Sequence, residues 1–367
     1  MNKPAIESTR LVSVDVLRGF DMLMIIFADR FFWSLREGTQ TPVTEFFATQ
    51  FSHPEWFGFH FYDIIMPLFL FVVGVVIPFS MDTRIREIDH KSKLYPHLIR
   101  RFVILFILGW IVQGNLLQLD IKSFQIFSNT LQAIAVGYLF SCIAYIHLSK
   151  NGRYILFVSS LVAYALILEI SNVPGIGNSE LLPDKNIALY IDHYVFGRFD
   201  DGTQYTWLLT GFGFLATTLS GVFAGELLRS SFQRKTIAMY LGLMGITGIT
   251  LALVIDIWHP IVKKLWTSSF VLLSSGACFL LLAFFYYIVD VKGYKKWAFP
   301  LKVIGVNAIT AYVASHVIDF SIIAKQVLFG FEKFTGVYYN AFAVLGGFGI
   351  LYLILWYMNK NKTFVKI

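Results

Sequence analysis

Stretches of about 20 predominantly apolar residues, the length a helix needs to cross a bilayer core, recur from one end of this chain to the other with short polar gaps between them. With 56% hydrophobic and 14% charged residues, the chain carries more apolar surface than a water-soluble core can hide. Lipid is the solvent these proportions require. Runs of spanning length fall at 14–33, 59–81, 102–119, 128–148, 154–170, 207–228, 238–257, 266–289, 299–320 and 339–358. The expectation is an all-α integral membrane protein, a bundle of about ten transmembrane helices.

Ten spans put both termini on one side, and charge fixes which. Of the 30 Lys and Arg residues, 20 lie in the tails and in loops on the tails' side or bordering them, Lys302 included, 9 lie in the opposite loops or bordering them, Arg30 included, and Arg18 lies within the first helix. The positive-inside rule makes the tails cytoplasmic: a tail of residues 1–13, a transmembrane domain of 14–358 and a tail of 359–367. The net charge of +7 is distributed as these orientation signals, which excludes a nucleic-acid surface as its purpose. The polar N-terminus lacks a cleavage pattern, so the first helix is expected to be retained. Cys142 and Cys278 fall inside apolar runs and pack as small hydrophobes, with neither a disulfide nor a metal site indicated.

Ionisable residues within spans are expensive in lipid and are functional candidates for that reason. In the first helix Asp15 and Arg18 are three apart and can pair. Arg18 and Asp29, eleven apart, lie only about 20° from each other on an ideal helix, so a polar track of roughly 20 Å across the membrane is expected. The competing reading makes Asp15 a cap, lets Arg18 snorkel and pairs Asp29 with Arg30 or Arg36. His53 and Asp63 straddle the turn into the second helix. A carboxylate can hold an imidazole so that it takes a proton from an amine or carries an acyl group. Equally, His53-Pro54-Glu55 can start a short interfacial helix, and Asp63 can complement the positive end of the second helix.

Asn129 and Gln132 share a face of the fourth helix, and Asn307 precedes Ser315 and His316 on the ninth. Interhelical hydrogen bonding accounts for many amides in such places. On an ideal helix His316 points about 180° away from Asn307 and Ser315 about 80° away, so they cannot all face one pocket. The outer loops add Asp192, His193, Asp200, Asp201, His259, Lys263 and Lys264, read as solvated surface, with Trp56 and Trp207 as aromatics an amino sugar could use. Metal-ligand spacing, a Ser-His-Asp motif and a phosphate-binding Gly loop are absent.

RLVSVDVLRG, SHPEWFG and YDIIMPLFLFVVGVVI, followed in order by LQAIAVGYLF, YIDHYVFGR, LSGVFAGELL, LWTSSFVLLSSG, YYIVDVKG and GVNAITAYV, resemble the heparan-alpha-glucosaminide N-acetyltransferase family and its bacterial members. The resemblance covers nearly the whole chain from Arg10 onward. It implies transfer of an acetyl group from cytosolic acetyl-CoA to the amine of a glucosamine-type sugar outside, without a metal, in the cell inner membrane. It makes His53 the catalytic histidine and Asp63 its carboxylate. Arg18, Asp15, Asn129, Gln132, Arg100, Arg101, Ser269 and Asn307 become candidates for holding the coenzyme or its oxyanion, and Asp29, Trp56, Ser315 and His316 for the acceptor. The chain departs from the family at Asp29, where relatives commonly have Asn, at Ala133, where they have Arg, and at Ser315, which aligns with the animal enzyme's His.

The expected partners are an amino sugar, membrane lipid and a second copy of the chain in a homodimer, with no nucleic acid. A secondary transporter, using the Arg18 to Asp29 track as its path, and an inactive scaffold are the rival functions. Topology is the first thing to check. A phosphatase that is active only outside the cytoplasm, fused after Lys362, is expected to be silent, and the same reporter inserted after Lys122 to be active. The reverse pattern would invert the orientation.

Overall fold

The computed structural model describes residues 11–87 and 90–365. Residues 1–10 and 366–367 of the expected tails, and Ile88 and Asp89 of the basic loop, lie outside the described residues. The chain is an all-α, multi-pass membrane protein. Among the described residues, eight helical segments are long and apolar enough to cross a bilayer: Phe61–Arg86, Lys91–Val112, Thr130–His147, Lys150–Ile170, Gly211–Leu228, Arg234–Ile255, Ser268–Val291 and Phe329–Lys360. A bent pair, Ala308–Val317 and Phe320–Val327, meeting at 70°, makes a ninth if counted as one span.

The difference from ten has two causes. The first run forms helix, α1 (Val12–Leu23), one wider π-type turn (Met24–Ala28) and α2 (Asp29–Thr39) end to end, but Asp15, Arg18, Asp21 and Asp29 make it too charged to pass as an ordinary span. The run at 299–320 is broken at Asn307 into α12 (Phe299–Val306) and α13 (Ala308–Val317). Between these lie α3 (Pro42–Gln50), α4 (Ile65–Glu87), α5 (Tyr95–Val112), α6 (Thr130–His147), α7 (Lys150–Ile170), α8 (Ile187–Phe196), α9 (Gly211–Leu228), α10 (Arg234–Ile255) and α11 (Ser268–Tyr286). After them come α14 (Phe320–Val327), the short α15 (Glu332–Thr335) and α16 (Tyr339–Lys360). A two-stranded ribbon, Asn172–Val173 with Gly177–Asn178, sits in the loop before α8.

Burial separates central from peripheral helices. Leu68, Leu70, Phe71, Val72 and Val75 of α4 are fully enclosed. Ile99, Val103 and Ile107 of α5, and Ile155, Val158, Val162 and Leu166 of α7, form exposed apolar stripes repeating every three or four residues, the face a helix turns to lipid.

Because lipid gives apolar faces no reason to associate, helices in a membrane gain by close van der Waals approach, and small residues allow it. A Cβ at Gly19 would lie 1.7 Å from the Leu301 carbonyl oxygen, and one at Gly305 1.9 Å from that of Asp15, so α1 and α12 cross backbone to backbone. Gly74 and Gly221 join α4 to α9 in the same way, each within 2.0 Å of the opposing carbonyl oxygen by this measure. Neither clash can be relieved by a side-chain rotation. Gly19→Val is therefore expected to destabilise the protein by about 3 kcal/mol or more, the upper end of overpacking effects. Gly242→Ala, whose Cβ would meet nothing within 4 Å, should be neutral or slightly stabilising. Thermal unfolding in detergent checks both; equal midpoints would contradict the crossing.

Candidate active site

The end of the bundle away from Val365, termed outer after the orientation expected from charge, holds α3, α8 and the loop from Asp256 to Thr267. That loop is held at nearly every residue. Asp256 Oδ1 accepts from the Ile261 N–H at 2.8 Å, Thr267 Oγ1 from that of Val262 at 3.1 Å, and the Pro260 carbonyl accepts from the hydroxyls of Thr267 and Ser269 at 3.0 Å each. His259 Nδ1 donates to Glu169 at 2.5 Å, and its Nε2 accepts from the Ser268 N–H. Gly58 N–H donates to the Ile261 carbonyl, tying this loop to the 51–58 segment. The result is a fixed platform for one buried cation, Lys263.

Lys263, expected on the surface, is buried with its ammonium 3.2 Å from Asp63 Oδ1. His53 Nδ1 lies 2.6 Å from that same oxygen, and Asp63 Oδ2 accepts from the His60 N–H at 2.8 Å. With Nδ1–H donated to Asp63, the lone pair of the neutral imidazole is on Nε2. The ammonium lies 3.0 Å from Nδ1 and 3.1 Å from Nε2, so it sits across the ring nitrogens rather than in line with one of them. Tyr62 stacks on the His53 ring at 5.3 Å and donates its hydroxyl to Asp29 at 3.2 Å. No helix starts at Pro54; residues 51–58 are turns and bends, and the short helix of this region is α3, capped by Thr41.

His53 and Lys263 face a cavity of about 340 Å³ whose wall also holds Ser128, Asn129, Asp201, Tyr205 and Trp207. Asp201 is the carboxylate on that wall; its oxygens accept from the Thr203 N–H and hydroxyl at 2.8 Å and from the Trp207 indole at 2.9 Å. A second cavity, about 610 Å³, lies at the end of the bundle where Val365 sits, with Arg18, Arg84, His97, Arg100 and Arg101 on its wall. Thr130 and Tyr312 line both.

The structure thus brings His53 and Asp63 together and places Arg18, Arg100, Arg101 and Asn307 on the inner cavity. Asp15 sits beside Arg18 at 3.7 Å. The continuous track from Arg18 to Asp29 does not form: the π-type turn between them changes the helical phase, and neither cavity wall contains both residues.

The amides and the hydroxyl expected to donate to an oxyanion already donate to protein acceptors. Asn129 donates to the Gly109 carbonyl and to Gln132, Gln132 to the Ile126 carbonyl, and Ser269 to Pro260. Asn307 Nδ2 donates to the Val303 and Leu355 carbonyls, which fixes its amide orientation and leaves Oδ1 buried with no partner. On the acceptor side, Trp56 is buried with its indole on the Leu181 carbonyl, away from the cavity. Asp29 supports Tyr62 instead of lining the wall. His316 lines the outer cavity, whereas Ser315 donates to the Tyr312 carbonyl and faces a separate small recess near α16. In sequence Lys263 and Asp201 read as solvated surface and Ser128 is not singled out; Lys263 alone carries a signal, two adjacent lysines just outside an apolar span against the positive-inside trend.

Burial, the largest influence, pushes the His53 pKa below its ordinary 6.5; the Asp63 bond opposes this and the Lys263 charge reinforces it. Burial likewise lowers Lys263 to about 8 against the pull of Asp63. At neutral pH the imidazole is therefore neutral beside an ammonium. Diethylpyrocarbonate modifies neutral imidazole, so the rate of His53 modification should rise with pH to a midpoint below 6.5. Lys263→Met, which removes the nearby positive charge, should raise that midpoint. An unmoved midpoint would contradict the contact.

No family model matches the sequence. In an alignment of 372 positions that covers 85% of this chain, it is 24% identical to heparan-alpha-glucosaminide N-acetyltransferase of Mus musculus. The alignment covers 54% of the mouse protein, so the chain spans about half the length of the curated relative it matches. At that distance the chain is similar to an N-acetyltransferase.

Proposed function

We propose that this chain is a transmembrane acyltransferase that takes an acetyl group from acetyl-CoA in the inner cavity and passes it to the amine of a glucosamine-type sugar in the outer one. The observation that carries this is the placement of the two cavities end to end, one ringed by cations and the other by an imidazole held on a carboxylate. Similarity to the mouse N-acetyltransferase supports the same chemistry.

The inner wall fits an acyl-CoA. Arg84, Arg100 and Arg101 offer charge-assisted hydrogen bonds to phosphates, and the unpartnered Asn307 Oδ1 is an acceptor suited to an amide N–H of the pantetheine arm. In the outer cavity Trp207 and Tyr205 offer faces to a sugar ring, and Asp201 offers an anchor for hydroxyl or ammonium groups. For transfer, the amine nitrogen forms a bond to the thioester carbonyl carbon as the carbon–sulfur bond breaks. His53 Nε2 takes the amine proton and returns it to the departing sulfur, leaving an amide and free thiol. Asp63 holds the imidazole and stabilises the imidazolium formed during transfer. Ser128 Oγ, buried without a partner on the outer wall, is the hydroxyl free to donate to the developing oxyanion.

Purified protein given labelled acetyl-CoA and glucosamine should place label on the sugar. His53→Ala should lower the rate by about 100-fold or more, within the range for a lost general base. In the wild type the rate should fall through about pH 8 if the Lys263 ammonium is required. Equal labelling by wild type and His53→Ala would defeat the assignment; counterflow of sugar without coenzyme would favour a transporter.

A further inference from the structure

The two cavities adjoin at two shared residues. Thr130 and Tyr312 belong to both walls, and the Tyr312 side chain interacts with that of Thr130, so this pair is the partition where the cavities meet. Both members are fixed in place. Thr130 is the first residue of α6, whose start is set by Asn129 Oδ1 accepting from the Leu131 N–H at 3.0 Å. Tyr312 is buried on α13, its ring packed 4.3 Å from that of His316 and edge-on to Phe69 at 6.4 Å. His316 faces the outer cavity and Phe69 the inner one, so the tyrosine is braced from both sides.

We infer that Thr130 and Tyr312 determine which acyl groups this protein transfers. The inference rests on the acyltransferase reading above. An acyl carbon delivered along the inner cavity can meet an amine in the outer cavity only at this partition. The space left beside these two side chains then limits the length of chain behind the carbonyl. Bonds form and break as for acetyl, the carbon–nitrogen bond replacing the carbon–sulfur bond and the amine proton leaving on the thiol. Thr130 offers the cleaner test of the two, because it lies at a helix start and its truncation leaves the bundle contacts of Tyr312 in place.

Thr130→Ala removes the hydroxyl and methyl from the partition. The ratio of kcat/KM for propionyl-CoA over acetyl-CoA should rise by about tenfold or more, the low end of what one methylene is worth in a fitted apolar site. Thr130→Leu fills the gap, and should lower kcat for acetyl-CoA by about tenfold while coenzyme A binding, measured by calorimetry without acceptor, stays within about twofold. A side chain with a merely structural role would shift neither the chain-length ratio nor kcat independently of binding. An unchanged chain-length profile in Thr130→Ala, or a wild-type kcat in Thr130→Leu, overturns this assignment alone. Absence of acetyl transfer by the wild type overturns the acyltransferase reading and this assignment with it.

Discussion

One carboxylate organises the outer end of this molecule. Asp63 is fully buried, and its two oxygens are shared among the His53 ring, the Lys263 ammonium and the His60 backbone N–H. Removing an anion from water is expensive unless opposite charge and hydrogen bonds replace the lost hydration, and here three donors do so. The three come from different parts of the chain: the turn before α4, the 51–58 segment and the loop before α11. Asp63 therefore ties together elements that enclose the outer cavity, and sets the tautomer of the imidazole within it.

The loop before α11 explains how a lysine can be kept there. A flexible loop would let Lys263 swing out to solvent, where its charge is better hydrated. Instead, side-chain bonds from Asp256, Thr267, Ser269 and His259, with the Leu265 carbonyl accepting from the Tyr164 hydroxyl at 2.5 Å, leave the backbone no slack. Trp266 even adopts a left-handed φ of 50° in this segment, a conformation disfavoured for a bulky residue and tolerated because its surroundings dictate it. Ser269 has its place in this framework rather than at the reacting carbonyl.

Much of this was legible in the sequence, and the rest fails for physical reasons. Apolar run length located the helices, since lipid demands about 20 such residues and little else produces them. The His53 and Asp63 pair was foreseen through resemblance, because spacing of ten across a turn carries no geometric information by itself. Ideal-helix geometry correctly separated Asn307 from His316, which face different cavities. It failed for Arg18 and Asp29, where a single π-type turn shifts the phase. The hydrogen bonds of the polar amides were not legible, because a sequence shows which residues own donors, not which carbonyls already hold them. Lys263 was missed because burial of a loop lysine depends on partners more than two hundred residues distant, such as His53.

The central claim is that the two cavities form one path, with an acyl donor entering among the arginines and its carbonyl ending at the partition. A density map of the protein with a non-transferable acetyl-CoA analogue tests this most directly. The account predicts phosphates beside Arg84, Arg100 and Arg101 and the acetyl carbonyl against Thr130 and Tyr312, on the side nearest His53. An analogue bound on the outer face, or with its acetyl group directed into lipid, would contradict it.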